Sequence, residues 1–506
     1  MRTRSRLLAP LAALAAGFAV ALPIVVPARA TATTAPGFSI HVAEATGGKG
    51  TPQLAATEFP LDQVGYDQHE FLVSGTAQSY TSAVPLKSDG NWTVTPASSA
   101  PFTTRAVLYM PTDPRNFNGT VVVEWLNVTA GIDAAPVWLM AHKELVREGY
   151  AWIGVSAQSI GIEGASQGVL GLPLGLKQLD PERYGALEHP GDSYSYDLFR
   201  QVGGLAPQLL RNQGLRARRV LAAGESQSAM HLVTFIDAFG ADTKTAPSPF
   251  DGYLVYSRGI TGSPLSQAPQ AEIGAPTPTR IRSDVRAPVL VLDTESDVAG
   301  LGAAAAAQPD TARVHEWQVA GGAHADAYTL ALGANDAGDP ASDTAMFQAM
   351  RTPPTSFRGG LFTCTSPINT GPTTYVARAA VHALDQWARS GTPPAKAPRL
   401  ALVPGRDPPQ FRIDADGNVQ GGVRTPHVDA PVARFSGLGQ SGSGFCSLFG
   451  TTTPFTAAQL TALYPSNARF VKAWNAAVDD AVRAGWILRA DARGLRAAAA
   501  ATPVVP

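Results

Sequence analysis

Val220-Leu221-Ala222-Ala223-Gly224-Glu225-Ser226-Gln227-Ser228-Ala229-Met230-His231-Leu232-Val233-Thr234-Phe235-Ile236 decides the fold. The first four residues are a short apolar run suited to a buried strand, and from Ala229 onward apolar residues recur at helical spacing. Between them, Gly224-Glu225-Ser226-Gln227-Ser228 sets a serine among small residues at a strand-to-helix junction. The turn such a serine needs is so sharp that side chains two positions either side crowd the backbone, and only small residues fit. The common pattern ends in glycine; here it ends in Ser228. A helix N-terminus directly behind Ser226 favours negative charge developing beside it.

Two other serines compete. Gly164-Ala165-Ser166-Gln167-Gly168 matches the written pattern more literally, and Gly439-Gln440-Ser441-Gly442-Ser443 matches it loosely. Ser166 has no apolar strand directly before it, and Pro173 obstructs a following helix. Ser441 sits in a Gly/Ser loop. Only Ser226 has the strand and the helix that the mechanics require, which makes it the candidate nucleophile rather than an ordinary turn serine.

Working outward, β-branched and alternating runs predict strands around Glu70–Ser74, Thr104–Met110, Thr120–Asn127, Trp152–Ser156, Gly252–Ser257, Pro288–Asp293 and Arg313–Val319. Helical patterns cover Pro136–Glu148, Tyr196–Asn212, the stretch after Ser226, Gly300–Ala307, Tyr375–Ser390 and Ala468–Ala484. Thr456-x-x-Gln459 reads as a capping box. Strands alternating with helices imply βαβ units, so the fold class is α/β with a mostly parallel central sheet flanked by helices. Residues 31–60 read as a loose leader, 157–193 as a Gly-rich irregular insertion and 260–286 as a Pro-, Ser- and Gln-rich one.

A serine hydroxyl needs a base, and the base needs an orienting acid. On a strand–turn–helix serine the chain order is Ser, then acid, then His, each just past a strand. Asp297 follows the strand ending at Asp293, and His324 follows the strand ending near Val319, after Gly321-Gly322-Ala323. Glu295, two residues before Asp297, is the alternative acid. The other eight histidines lack this context, although His231, on the helix after the turn, could lie nearby. Protonation of a base histidine near its ordinary pKa predicts activity falling below about pH 6. The oxyanion needs two N–H donors: Gln227, directly after the nucleophile, and Asn127 or Val128 from the loop after the Thr120–Asn127 strand.

The bulk numbers are those of a globular chain: 506 residues, 45% apolar, 16% charged, formal net charge −1. That balance lacks the basic surplus expected of a nucleic-acid binder. Arg2, Arg4 and Arg6, the apolar stretch Leu7–Val26 and Ala28-Arg29-Ala30 predict a signal peptide over residues 1–30, cleaved after Ala30, and hence a secreted protein. No later segment is apolar enough to span a bilayer. The two cysteines, Cys364 and Cys446, are expected to form one disulfide in an exported protein. Asp414-Ala415-Asp416-Gly417-Asn418 lacks the glycine and bidentate glutamate of a calcium loop and reads as a hairpin turn. No metal site, phosphate loop or dinucleotide fingerprint is evident, so no cofactor is expected.

Several segments beyond the serine turn carry a family likeness: Val123-Glu124-Trp125-Leu126-Asn127-Val128-Thr129, His189-Pro190-Gly191-Asp192, Ser195-Tyr196-Asp197 and Ala323-His324-Ala325-Asp326. With Gly224–Ala229 they make the chain resemble the α/β-hydrolase superfamily, and more narrowly a family of large exported α/β-hydrolase-domain proteins. The resemblance covers roughly residues 60–495. It implies one elaborated hydrolase domain, 61–500, with extra N-terminal strands and C-terminal elaborations. It also implies that serine in place of the last glycine is usual in this group. The function expected is a serine hydrolase of carboxylic esters, acting on a small-molecule or lipid-like ester. An acyltransferase or amidase on the same residues and a non-catalytic binding protein on an inactive fold are the alternatives. Oligomeric state and substrate stay open.

Overall fold

The computed structural model describes residues 31–35, 38–164, 174–241, 247–442 and 444–505. The expected signal peptide and Ser166 lie outside them. Ten strands form one sheet: β1 (Thr31–Ala35), β2 (Phe38–Glu44), β3 (Tyr66–Thr81), β4 (Thr95–Pro111), β5 (Thr120–Trp125), β6 (Ala151–Val155), β7 (Arg219–Glu225), β8 (Gly252–Tyr256), β9 (Val289–Thr294) and β10 (Val314–Val319). Their spatial order is β1-β2-β3-β4-β6-β5-β7-β8-β9-β10. Strands β6 to β10 with β5 run parallel, and β1 to β4 join at the β6 side as an antiparallel flank.

The period of two sorts each strand onto two cores. Val121, Val123 and Trp125 of β5, Val220 and Ala222 of β7 and Val289 and Val291 of β9 face one core. Helices α2 (Ser195–Asn212) and α3 (Gln227–Phe239) close it. Val122, Leu221, Ala223, Leu290 and Leu292 face the other. There α1 (Pro136–Arg147) and α5 (Thr373–Ser390) pack, and the core continues into α4 (Pro340–Arg351), α6 (Asn467–Ala484) and α7 (Arg489–Ala501). The start of α1 has no side-chain cap of its own; Glu124 on β5 accepts from the N–H groups of Val137 (2.8 Å) and Trp138 (2.9 Å) instead. A carboxylate there answers both the orphan donors and the helix dipole.

Three details depart from sequence expectation. The leader is not loose throughout: Phe38–Glu44 pairs with β3, because the long antiparallel β3 offers it a free edge. Strands β3 and β4 are also far longer than the runs that announced them, pairing from Tyr66↔Pro111 to Thr81↔Thr95. The Ala-rich helix expected at 300–307 is instead a π-helical turn, Ser296–Gly300, and a 3₁₀ turn, Ala303–Ala306, because Gly302 adopts φ 73° and breaks the helical path. The hairpin at Asp416-Gly417 forms, with Ile413 opposite Val419 and Gly417 at φ 84°. Among the described residues no helix is long and apolar enough to cross a membrane.

Strand β5 connects through α1 to β6 on one side, while β7 lies on its other side. The order reverses between β5 and β7, the place in an open α/β sheet where a crevice forms outside the C-terminal ends of the strands. The loop after β5 and the turn after β7 both open there.

Candidate active site

Strand β7 ends at Glu225 and α3 begins at Gln227, so Ser226 alone makes the turn. It holds φ 58° and ψ −121°, a conformation rarely adopted by a residue with a Cβ and costing about 1–3 kcal/mol. Two contacts fix it: its N–H donates to Tyr256 O (2.9 Å), tying the turn to β8, and its carbonyl accepts from Met230 N (3.1 Å) in α3. Gly224 is required by space, since a Cβ there would meet Ser228 O at 2.8 Å. Ser228 is not a passive replacement for glycine. Its hydroxyl donates to Leu126 O (3.1 Å) and pins the start of α3 to the end of β5.

His324 stands on the loop after β10. Its Nε2 lies 2.7 Å from Ser226 Oγ, and its Nδ1 lies 2.6 Å from Asp297 Oδ1. A carboxylate only accepts, so in the neutral imidazole Nδ1 carries the proton and Nε2 is free to accept from the serine. The other Asp297 oxygen, Oδ2, accepts from Thr294 N and Thr294 Oγ1, both at 2.7 Å, which locks the carboxylate toward the imidazole. Burial alone would lower the pKa of His324, but the Asp297 carboxylate, by charge and hydrogen bond, and then Glu225 outweigh it and raise it to about 9. The ordinary-pKa titration expected from sequence is therefore displaced upward.

The two candidate acids divide. Asp297 meets the imidazole; Glu295 turns to the opposite side and accepts from Gly321 N (2.7 Å) and Gly437 N (2.9 Å). Burial pushes the Glu295 carboxyl up to about 7, against those two backbone donors. Its neighbour Ser296 donates to Gly437 O (2.6 Å) and accepts from His324 N (3.1 Å). Glu295 and Ser296 thus clamp the loop that carries His324, with Gly321 at φ 75° permitting the bend.

The two choices for the second oxyanion donor divide as well. Asn127 is spent: its backbone N–H donates to Ala134 O (2.9 Å), and its side-chain amide donates to Glu225 O (3.2 Å) and Glu225 Oε2 (3.1 Å). That removes Asn127 as an oxyanion donor. The N–H groups of Val128 and Gln227 have no acceptor among the described residues.

Sequence reasoning passed over Glu225, although it lies inside the serine motif. A charged residue closing an otherwise apolar strand was the available signal. Its side chain is buried, its Oε1 lies 3.6 Å from His324 Nε2, and burial pushes its carboxyl up to about 7. His231 does not join the cluster; its ring stacks on Trp125 at 5.0 Å and its Nδ1 lies 3.0 Å from Ser263 Oγ. Ser441 bonds Thr365 Oγ1 (2.7 Å) at the surface.

Cys364 and Cys446 form a disulfide across 82 residues. It lies in a small cluster with Ile368 and Phe449, against which Ala325 packs, directly after His324. The bond braces the ground behind the histidine loop. The two insertions approach the crevice: the Ser159–Glu163 turn brings Gly161 against Val128 and Asp133, and Ser263 N donates to Met230 O on α3 (3.1 Å).

A family model described as alpha/beta hydrolase domain matches residues 34–497. Similar solved structures include the esterase Pf2001 of Pyrococcus furiosus, 9% identical over 53% of this chain and 87% of that one, with a TM-score of 0.28. The glucuronoyl esterase of Solibacter usitatus is 13% identical over 57% and 83%, with a TM-score of 0.26. The rice cell wall degrading esterase LipA of Xanthomonas oryzae is 14% identical over 40% and 48%, with a TM-score of 0.23, so the chain spans about half its length. At these identities and scores none of the three carries an argument about chemistry. Among curated proteins no sequence relative matches.

Proposed function

The chain belongs to the alpha/beta hydrolase domain family, and on that premise we propose that it is an exported serine hydrolase that cleaves carboxylic esters through an acyl-enzyme. The observation that carries this reading is the unbroken line of contacts from Ser226 Oγ to His324 Nε2 (2.7 Å) and from Nδ1 to Asp297 Oδ1 (2.6 Å). Ser226 Oγ attacks the ester carbonyl as His324 Nε2 takes its proton. Asp297 holds the imidazole in the right tautomer and stabilises its cation. The Gln227 and Val128 N–H groups receive the oxyanion. The imidazolium returns its proton to the leaving alcohol, and water, activated by the same nitrogen, releases the acid. Residues 157–164, 174–193 and 260–286 border the site and select a small or lipid-like ester.

Export rests on the charged-then-apolar N-terminus and on the Cys364–Cys446 disulfide, which persists in oxidising compartments. The test is turnover of short p-nitrophenyl esters together with covalent labelling by a fluorophosphonate. Ser226→Ala should abolish both, while Ser166→Ala and Ser441→Ala leave labelling intact. A protein that neither turns over an ester nor takes the label is not a serine hydrolase. Labelling with turnover only when an alcohol acceptor is supplied would make it an acyltransferase, and turnover of amides but not esters an amidase.

A further inference from the structure

His324 sits between two carboxylates, and the ester-hydrolase reading uses only one. Asp297 holds Nδ1. Glu225 reaches the opposite edge, with Oε1 3.6 Å from Nε2, the nitrogen that faces Ser226 Oγ. That separation is too long for a hydrogen bond and short enough for a strong charge interaction in a buried site. The carboxylate is held there. Its Oε2 accepts from Asn127 Nδ2 (3.1 Å), and the amide is oriented in turn because Asn127 Oδ1 accepts from Thr129 N (2.8 Å).

No lysine or arginine among the described residues pairs with Glu225. The titratable groups that interact with Glu225 besides His324 are Asp297, Tyr256 and, from the far face of β5, Glu124, with Asp326 beyond Tyr256, and none supplies positive charge. A buried carboxylate without a cation is costly. The cation that relieves it is the imidazolium itself, which the mechanism creates when the serine proton arrives. An interaction stronger at that moment than in the resting state lowers the barrier rather than merely binding.

We propose that Glu225 is a positioning residue for His324: its carboxylate, fixed by Asn127, faces the Nε2 edge and stabilises the imidazolium formed when Ser226 gives up its proton. The proton passes from Oγ to Nε2 and later to the leaving alcohol; Glu225, once ionised above its raised value of about 7, takes no part in that transfer and forms no bond to substrate. This rests on the ester-hydrolase reading for its catalytic meaning, but the charge pairing can be measured without turnover.

The experiment compares wild type and Glu225→Gln in the pH dependence of kcat/KM and of fluorophosphonate labelling. Loss of the charge should move the acid limb of both toward lower pH by about one to three units, and lower the plateau kcat while leaving KM nearly unchanged. Glu225→Asp, which keeps the charge, should restore most of the limb. A Glu225→Gln enzyme that labels with an unmoved limb overturns the proposal. Should that variant fail to fold, the downfield Nδ1 proton of His324 in wild type, followed by NMR against pH, decides the matter. Two coupled steps support the pairing; a single step at the ordinary histidine value overturns it. The same titration answers for a folded wild type that neither labels nor turns over, in which case the ester-hydrolase reading fails on its own.

Discussion

Two of the buried charged clusters on the sheet lie on opposite sides of β5 and β6. On the antiparallel flank, Arg105 of β4 donates to Asp133 Oδ2 (2.7 Å), Ser156 Oγ (3.0 Å) and Gln53 O (2.7 Å), and lies 3.4 Å from Glu70 Oε1. Glu70 also accepts from Arg183 Nε (2.6 Å) and Tyr184 (2.8 Å). Beyond β5, at the C-terminal ends of parallel strands, Ser226, His324, Asp297 and Glu225 form the other. The first cluster matches acids to arginines and ties loops to β3 and β4. The second has an excess of acid around a histidine, a serine in strained backbone and two N–H groups without acceptors. Ser226 is half-buried where Arg105, Glu70 and Asp133 are buried; what distinguishes the site from the brace is acid in excess of cation and backbone donors left without acceptors.

Substitutions should therefore hurt the two clusters in different currencies. After Ser226→Ala, the largest effect expected is from Asp297→Asn, a loss of about 10⁴-fold in kcat with the melting temperature nearly unchanged, because the imidazole takes the wrong tautomer. A small loss would return Glu295 to the role of acid. Arg105→Met should instead cost about 3–5 kcal/mol in denaturant unfolding, since it strands Asp133 as a buried unpaired acid while Glu70 keeps Arg183. Turnover per folded molecule should persist; if turnover fell without stability, the flank would be part of the site.

Glu295→Gln is intermediate in kind. One of the two backbone N–H groups it accepts from loses its partner, at a cost of about 1–3 kcal/mol, and the His324 loop loosens. Both melting temperature and kcat should drop, the latter far less than for Asp297→Asn. The smallest effect is the pH dependence of wild type. The pKa of His324 in the fold, about 9, lies above its unfolded value. Its charge thus stabilises the fold fully below about pH 6.5, and that contribution is lost as pH rises through about 9. Activity runs the opposite way, because only the neutral imidazole accepts a proton. kcat/KM should climb from pH 6 toward 9, and a plateau reached by pH 7 would break the link between acid excess and site.

Much of this was legible in the chain. The β-branched run in Thr120–Trp125 and the apolar runs before Ser226, Asp297 and His324 marked strands because each buries both faces against helices. The order Ser, Asp, His followed from which loops end those strands. What escaped was anything decided by the path of a loop. Glu295 and Asp297 are two residues apart, and only the π-helical turn after β9 aims one at the imidazole and the other at Gly321 and Gly437. Asn127 fitted as an oxyanion donor until its N–H was found bonded to Ala134, seven residues on across a local bridge. The strand at Phe38–Glu44 hid in an unremarkable leader because its partner β3 lies beyond the next loop.

The sequence by itself determined the strand-turn-helix serine, the parallel βαβ class, the order of the three residues and the pairing of the only two cysteines. These rest on local period, on steric room at Gly224 and on a count of two. Tertiary structure alone decided which acid serves His324, which amides remain open and that Glu225 faces the imidazole. Those depend on distances of a few ångströms between residues as much as 142 positions apart, and charge and hydrogen bonding act across space, not along the chain.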